Sequence, residues 1–261
     1  MKERGKAHDG DGAHGPASGA EAPEGKPLFY ADPRPLTAAQ YGGHGLRRPG
    51  NFRFAAHTHA AVLHAQEFRL AAAHFPIVFA DDDSAMPLAV LGYQDGKNLF
   101  VDENGQWAAG AYVPAYVRRY PFAIGQGGQG GETVLYIDAA SDLVVDLAEH
   151  ADAAPLFQDG APSEQTRQAS DFCAAFQQQV PATQAFVEAV KAHDLLESKE
   201  VRLDLPGGGS QRLTGLRIVD EAKFNALPDD VFVDWRHKGW VPFVYWHWAS
   251  MDNFHRMVGR G

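Results

Sequence analysis

Two adjacent arginines, Arg118 and Arg119, lie in a part of the chain that is rich in aromatic residues. Three tyrosines share it: Tyr112, Tyr116 and Tyr120. A guanidinium group binds carboxylate or phosphate through paired hydrogen bonds and stacks on aromatic rings. The pattern therefore predicts a pocket for an anionic ligand. The alternative, which an acidic protein also favours, is an arginine paired with an internal aspartate while the tyrosines pack in the core.

Two histidines at alternate positions, His57 and His59, are the candidates for metal binding. On a strand, residues two apart point to the same face, so both imidazoles can reach one ion. Glu67 or the distant His247 would complete a set suited to non-haem iron or zinc. Such a metal would act by Lewis-acid or redox chemistry. The alternative is that these are ordinary surface or core histidines in a histidine-rich segment.

A third polar group lies near the end of the chain, where Ser250 and Asn253 follow His247 at offsets of three and six residues. On a helix these offsets favour one side, so the three side chains are candidates to line a polar pocket. No Gly-x-Ser-x-Gly sequence surrounds Ser250, which argues against a serine nucleophile. The alternative for His247 is a buried ring satisfied by a backbone carbonyl.

A glycine pattern at Gly125, Gly127 and Gly130 matches the dinucleotide-binding spacing. That motif requires a strand before it and a helix after it. A strand at residues 134–138 is expected to follow here, so we interpret residues 125–131 as a flexible loop. The single cysteine, Cys173, has no close basic neighbour and is expected to be a small buried hydrophobic residue.

Short apolar runs and turn residues predict the strands that would position these groups. A strand is expected within residues 54–63, and residues 88–112 are expected to form an antiparallel meander around Asp95-Gly96. A second hairpin is expected to join residues 201–205 to 211–219. Residues 59–79 resemble a βαβ unit.

Helical spacing and proline positions predict the helices. A short helix is expected at residues 115–120. Ser163 is a candidate cap for a helix at 164–179, and Pro181 is expected to start a separate helix. A final helix is expected at 241–257. Together the elements predict an α+β fold with a mainly antiparallel sheet built from hairpins and several interspersed helices.

Composition limits the classes of function. Residues 1–26 are rich in Gly, Ala, Pro and charge and predict a disordered tail, followed by a single domain at 27–261. The net charge of −10 argues against nucleic-acid binding. No apolar stretch is long enough to predict a membrane span. The start of the chain lacks the apolar core of a signal peptide, which favours a cytoplasmic location.

Several segments form a series along the chain: 58–59, 67–68, 75–79 (FPIVF), 98–102 (NLFVD), 112–122 (YVPAYVRRYPF), 239–240 (GW) and 246–250 (WHWAS), with Asn253. In order and spacing this series resembles the SapC family over about residues 50–258. Members are often labelled peptide-transport permeases, which the lack of a predicted span contradicts. Members are also commonly encoded near tryptophan-halogenase-like flavoproteins and TonB-dependent receptors. The resemblance thus implies a functional link to such proteins, in a pathway of taken-up or modified small molecules or peptides.

Three functions are compatible with these observations. The first is an accessory protein that binds a small anionic or peptide-like ligand through Arg118 or Arg119, the aromatic residues around them and His247. The second is a metal-dependent enzyme using His57, His59 and Glu67 with iron or zinc. The third is a structural or interaction protein of a surface-associated system. We rank them in this order because the most specific segment is aromatic and basic and lacks a nucleophile–base pair.

Overall fold

The computed structural model describes residues 28–47, 51–127 and 132–260. The strands are β1 (Pro33–Pro35), β2 (His44–Leu46), β3 (Ala60–Val62), β4 (Ile77–Ala80), β5 (Pro87–Val90), β6 (Phe122–Gly127), β7 (Glu132–Asp138), β8 (Val144–Asp146), β9 (Ala154–Pro155), β10 (Phe157–Gln158), β11 (Ala161–Pro162), β12 (Leu196–Asp204) and β13 (Ser210–Val219). The α-helices are α1 (Ala38–Tyr41), α2 (Phe68–Ala71), α3 (Ala115–Arg118), α4 (Glu164–Ala192), α5 (Glu221–Asn225), α6 (Asp229–Lys238), α7 (Val241–Ser250) and α8 (Asn253–Val258). Short 3-10 helices span Arg53–Ala55 and Ala65–Glu67.

The strands form antiparallel sheets, which confirms the predicted α+β class. The largest sheet has the order β12-β13-β4-β5-β3. A three-stranded sheet has the order β1-β7-β6, and another has the order β8-β2-β9. Because β3 and β4 both run antiparallel to β5, they are parallel to each other, with α2 in the connection between them. The βαβ pattern is thus present, but β5 lies between its two strands.

The long helix α4 connects two parts of the hydrophobic core. Its start is capped by Ser163, whose hydroxyl oxygen accepts a hydrogen bond from the Thr166 amide at 3.2 Å. Near this end Cys173 packs with the core beside β6 and β7. Further along, Phe186 and Val190 are fully buried in the main core, against the five-stranded sheet. One helix therefore positions side chains in both regions.

The prediction of two helices divided at Pro181 is wrong, because α4 is continuous over 29 residues with Pro181 inside it. Proline lacks an amide hydrogen and costs one helical hydrogen bond. Residues on both sides of it, Phe176 and Phe186, are buried, and packing of this kind outweighs the local preference of a proline.

The predicted meander at residues 88–112 is also wrong beyond β5. Between β5 and α3, in residues 91–114, the chain forms only an isolated bridge between Val101 and Trp107. The buried Asn98 explains the departure, because its amide group donates to the Ala55 carbonyl at 3.0 Å and accepts from the Phe100 amide at 2.9 Å. One of its two backbone partners, the Ala55 carbonyl, thus lies outside the expected meander.

Three other predicted elements differ from the structure. In residues 54–63 only β3 is a strand, since the segment begins with a 3-10 helix. Gly125 and Gly127 belong to β6 rather than to a loop, while residues 128–131 lie outside the described part of the chain. The expected final helix is divided into α7 and α8, and α6 was not predicted.

Candidate functional site

The carboxylate of Glu67 organises the region around the aromatic segment. Glu67 ends a 3-10 helix and is buried. One carboxylate oxygen accepts hydrogen bonds from the Tyr112 hydroxyl and the Ala115 amide, both at 2.8 Å, and the other accepts from the His64 amide at 3.0 Å. Burial, reinforced by this carboxylate, raises the pKa of Tyr112 to about 12. Three donors therefore satisfy the Glu67 carboxylate without an arginine. One of them, the Ala115 amide, belongs to the first residue of α3 and so fixes the start of that helix.

Arg118 lies at the exposed side of this network. Its Nη2 donates to the Tyr112 hydroxyl oxygen at 3.3 Å, and its Nε donates to the Val113 carbonyl at 3.0 Å. Its guanidinium carbon lies 5.1 Å from the centre of the Phe172 ring on α4. Arg118 is thus oriented by neutral partners and an aromatic ring.

Arg119 is partly buried among aromatic rings. Its guanidinium carbon lies 4.1 Å from the ring centre of Tyr116, 4.7 Å from that of Phe176 and 5.7 Å from that of Tyr30. Its Nε is buried and has no hydrogen-bond partner. In the described part of the chain no carboxylate forms an ion pair with this side chain. Arg119 is therefore a cation held by rings alone.

An apolar cavity of about 170 Å³ opens between α3 and the first half of α4. The Phe172 and Phe176 rings that contact the two arginines form part of its wall. The full lining is His64, Gln66, Glu67, Ala115, Phe172, Ala175, Phe176 and Gln179. Glu67 thus lines the cavity itself, whereas Arg118 and Arg119 lie against two rings of its wall and are not part of its lining.

His64 lies in the cavity wall and is only 2% exposed. Its Nδ1 is 3.3 Å from the Thr183 hydroxyl oxygen, which also accepts from the Ala65 amide at 3.1 Å. Its Nε2 has no partner in hydrogen-bond geometry, although the Phe176 backbone lies near enough to favour the protonated ring. Burial lowers the pKa of His64; Glu67 opposes this effect and Arg119 adds to it.

The sequence did not single out His64 as a site residue, and it contains little signal that could have done so. Thr183 and Phe176 lie more than 100 positions away in the chain, so their contacts with His64 depend on the tertiary fold. Phe172 and Phe176 lie four residues apart and therefore share one face of α4. The spacing does not predict which residues lie opposite these two rings.

Tyr116 and Tyr120 contribute their rings to this region, while their hydroxyl groups bind elsewhere. The Tyr116 hydroxyl donates to the Leu28 carbonyl at 3.4 Å. The Tyr120 hydroxyl donates to a carboxylate oxygen of Asp138 at 2.9 Å. Burial raises the pKa of Tyr120. The Tyr120 ring stacks on Phe54 at a centroid distance of 4.1 Å. These hydroxyl groups are therefore occupied within the protein.

The model of the SapC family matches residues 36–257, which is most of the chain. The chain belongs to the SapC family. No curated protein and no solved structure matches it. Among the helices of the described ranges, none is long and apolar enough to cross a membrane.

The segment at the end of the SapC match, WHWAS followed by Asn253, satisfies backbone groups of the core. His247 is fully buried, accepts from the Val219 amide at 3.1 Å and donates to the Ile77 carbonyl at 2.7 Å. The Ser250 hydroxyl accepts from the Ile77 amide at 2.8 Å. Asn253 donates to the carbonyls of Ala72 and Phe75 at 2.8 and 3.2 Å, and Trp248 donates to that of Val219 at 2.8 Å.

These contacts place His247 against β4 and β13 in the main core. The two arginines lie elsewhere, against Phe172 and Phe176 in the first half of α4. Burial lowers the pKa of His247 to about 4, so the ring is neutral near pH 7. Both ring nitrogens are occupied by the backbone of β4 and β13. This arrangement corresponds to the alternative of a buried histidine satisfied by a backbone carbonyl.

The histidines proposed as metal ligands precede β3 rather than lying on a strand. His57 Nδ1 is 3.4 Å from the Gly96 carbonyl oxygen, and His59 Nδ1 is 3.8 Å from a carboxylate oxygen of Asp95. Both side chains are exposed, whereas Glu67 is buried with three donors. Within the described residues, no three His, Cys, Asp or Glu side chains are grouped so that they could hold a metal ion.

Proposed function

We propose that this SapC-family protein is an accessory protein that binds a small anionic ligand at the cavity between α3 and α4. The observation that carries the proposal is Arg119, a partly buried cation with an unpartnered Nε and three aromatic neighbours. Contacts with aromatic rings stabilise a cation by about 0.5–2 kcal/mol. They leave its Nε without a hydrogen-bond partner, and an incoming carboxylate can accept from the guanidinium group.

The local charge balance supports an anion rather than a cation. Arg118 and Arg119 supply two positive charges against the one carboxylate of Glu67. That carboxylate is satisfied by Tyr112, Ala115 and His64, so it does not compete for either arginine. A bound anion therefore gains a charge-assisted hydrogen bond without breaking an existing ion pair.

An internal arginine–aspartate pair was the alternative, and the contacts of Asp138 argue against it. Asp138 is buried and accepts from the amides of Ala31 and Asp32 at 3.2 and 2.7 Å, and from the Tyr120 hydroxyl at 2.9 Å. Its oxygens are thus used by the backbone and a tyrosine. Arg119 is left available for a ligand.

The test is calorimetric titration of the full chain with benzoate, acetate and a short peptide with a free carboxyl end. We expect at least one of these carboxylates to bind. We expect Arg119→Gln to weaken its binding about 10- to 100-fold, the value of one hydrogen bond to a charged group. Arg202→Gln is the matched control, since Arg202 is an exposed arginine in a surface pair with Asp204. No binding by any probe, or equal binding to both variants, would refute the proposal.

The other hypotheses have no specific contact in their favour among the described residues. A metal-dependent enzyme and a protein of a surface-associated system therefore stay predictions from the sequence. The same holds for the cytoplasmic location and for the link to halogenase-like flavoproteins and TonB-dependent receptors.

A further inference from the structure

The size of the cavity limits what part of a ligand can enter it. Its volume is about 170 Å³. A dry cavity of about 150 Å³ lined by apolar side chains is known to bind benzene. One six-membered ring therefore fits within this volume.

The walls of the cavity favour an apolar ring. Phe172 and Phe176 lie four residues apart on α4 and provide two aromatic surfaces. Ala115 and Ala175 contribute only methyl groups, which leaves the space between the rings open. A ring packed against Phe172 and Phe176 gains aromatic contact in addition to the free energy of burying apolar surface.

The charged groups lie on the same two rings. Arg118 stacks on Phe172 and Arg119 on Phe176, so each of these two wall rings has a cation against it, although neither arginine is itself part of the lining. The unpartnered Nε2 of the buried His64 is a second polar atom of the cavity wall that lacks a partner. An apolar ring with one adjacent negative group matches this combination of shape and charge.

We propose that the ligand is a small carboxylic acid with a single ring, bound with the ring in the cavity and the carboxylate at Arg119. This inference rests on the proposed binding function and narrows it to one class of ligand. It also distinguishes a small molecule from a peptide, because the ring and its carboxylate make all the contacts that the inference requires.

The experiment titrates the full chain with five probes by calorimetry. Benzoate and cyclohexanecarboxylate each combine one ring with a carboxylate, and we expect both to bind. Benzamide lacks the charge, propionate lacks the ring and 2-naphthoate has two rings. We expect each of these three to bind about tenfold more weakly or worse, because it loses a charged hydrogen bond, apolar contact or fit, respectively.

A cavity-filling variant tests the position of the ring. Ala175 is an exposed residue of α4 that lines the cavity, so Ala175→Leu narrows the space with a residue that favours helix. We expect about tenfold weaker benzoate binding in this variant. Ala185→Leu is the matched control, because Ala185 is exposed on the same helix and is not part of the cavity lining. We expect it to bind benzoate as the wild type does.

The outcomes separate this inference from the proposed function. If 2-naphthoate, propionate or a peptide binds better than benzoate, depends on Arg119 and is insensitive to Ala175→Leu, the one-ring inference is wrong and the anion site remains. If no carboxylate shows binding that depends on Arg119, the proposed function itself is wrong. Tighter binding of benzamide than of benzoate would also contradict both.

Discussion

His247 shows how one residue combines a structural role with a dependence on pH. Its ring joins α7 to the backbone of β4 and β13 through two hydrogen bonds, at 2.7 and 3.1 Å. Such a ring can donate from one nitrogen and accept at the other only while it is neutral. Protonation places a hydrogen on Nε2, which then faces the hydrogen of the Val219 amide. The ring is fully buried, so no water can separate the two donors.

The expected result is a loss of stability in acid. The pKa of His247 is lowered to about 4 in the folded chain and is near 6.5 when unfolded. Between these values the unfolded chain binds the extra proton, so the free energy of unfolding falls as pH decreases from about 6.5 to 4, by about 3 kcal/mol in total. Urea unfolding at a series of pH values measures this change.

His247→Gln is the variant that isolates the effect. It is expected to be less stable at pH 7, since a glutamine does not reproduce both backbone hydrogen bonds, but to lose less stability in acid. His64, whose pKa is also lowered, is still present in this variant, so the difference between the two curves belongs to His247. Parallel curves for the two proteins would contradict the assigned role.

Glu67→Gln is expected to move stability and ligand binding in opposite directions. A glutamine places an amide donor where the carboxylate accepts from the His64 amide, and one unsatisfied buried donor costs about 1–3 kcal/mol. The same change removes the negative charge at the cavity margin, so benzoate should bind severalfold more tightly. Urea unfolding and calorimetry measure the two effects, with the exposed Glu200→Gln as control. Weaker benzoate binding would mean that Glu67 positions the site through Tyr112 more than it repels the ligand.

At the scale of elements, the sequence correctly predicted those turns and helix ends that depend on residues close together in the chain. The second hairpin follows from alternation and from Gly208 and Gly209, which have φ values of 87° and 88° in the turn. The start of α4 follows from Ser163, whose hydroxyl oxygen accepts a hydrogen bond from the Thr166 amide at 3.2 Å. Both features depend on residues a few positions apart, and both were predicted correctly.

The sequence failed where distant contacts decide the local structure. Beyond β5 the expected meander does not form, and Asn98 instead binds the backbone at Ala55, 43 positions earlier. The cavity depends on contacts between α4 and the segment at His64, 119 positions from Thr183. The arginines and tyrosines were identified from their types, whereas their relation to Phe172 and Phe176 requires the fold.

Helix α4 provides a test of this competition between local preference and packing. Pro181 lies inside the helix, is exposed and removes one backbone hydrogen bond. Pro181→Ala should therefore raise the free energy of unfolding by about 1–3 kcal/mol, since the helix is already formed by its buried neighbours. Urea unfolding measures the change, and Ala182→Gly at an adjacent exposed position is expected to lower stability. A loss of stability in Pro181→Ala would show that the proline is needed to direct the two halves of α4.

At the scale of the whole molecule, α4 joins two core regions that carry different natural probes. All five tryptophans belong to or pack against the main core: Trp107, Trp235, Trp240, Trp246 and Trp248. The single cysteine, Cys173, is 3% exposed and belongs to the core beside β6 and β7. Tryptophan fluorescence therefore reports on one region and thiol reactivity on the other.

If residues 27–261 form one domain, the two probes should report the same unfolding transition, because α4 packs in both core regions and couples their unfolding. Burial raises the pKa of the Cys173 thiol to about 11, so the native protein should react very slowly with a disulfide reagent. Short labelling pulses across a urea series should give a midpoint equal to that of tryptophan fluorescence, with Cys173→Ala as the unlabelled blank. Labelling of Cys173 at urea concentrations that leave tryptophan fluorescence native would instead mean that the chain has two units that unfold separately, with α4 fraying at its first half.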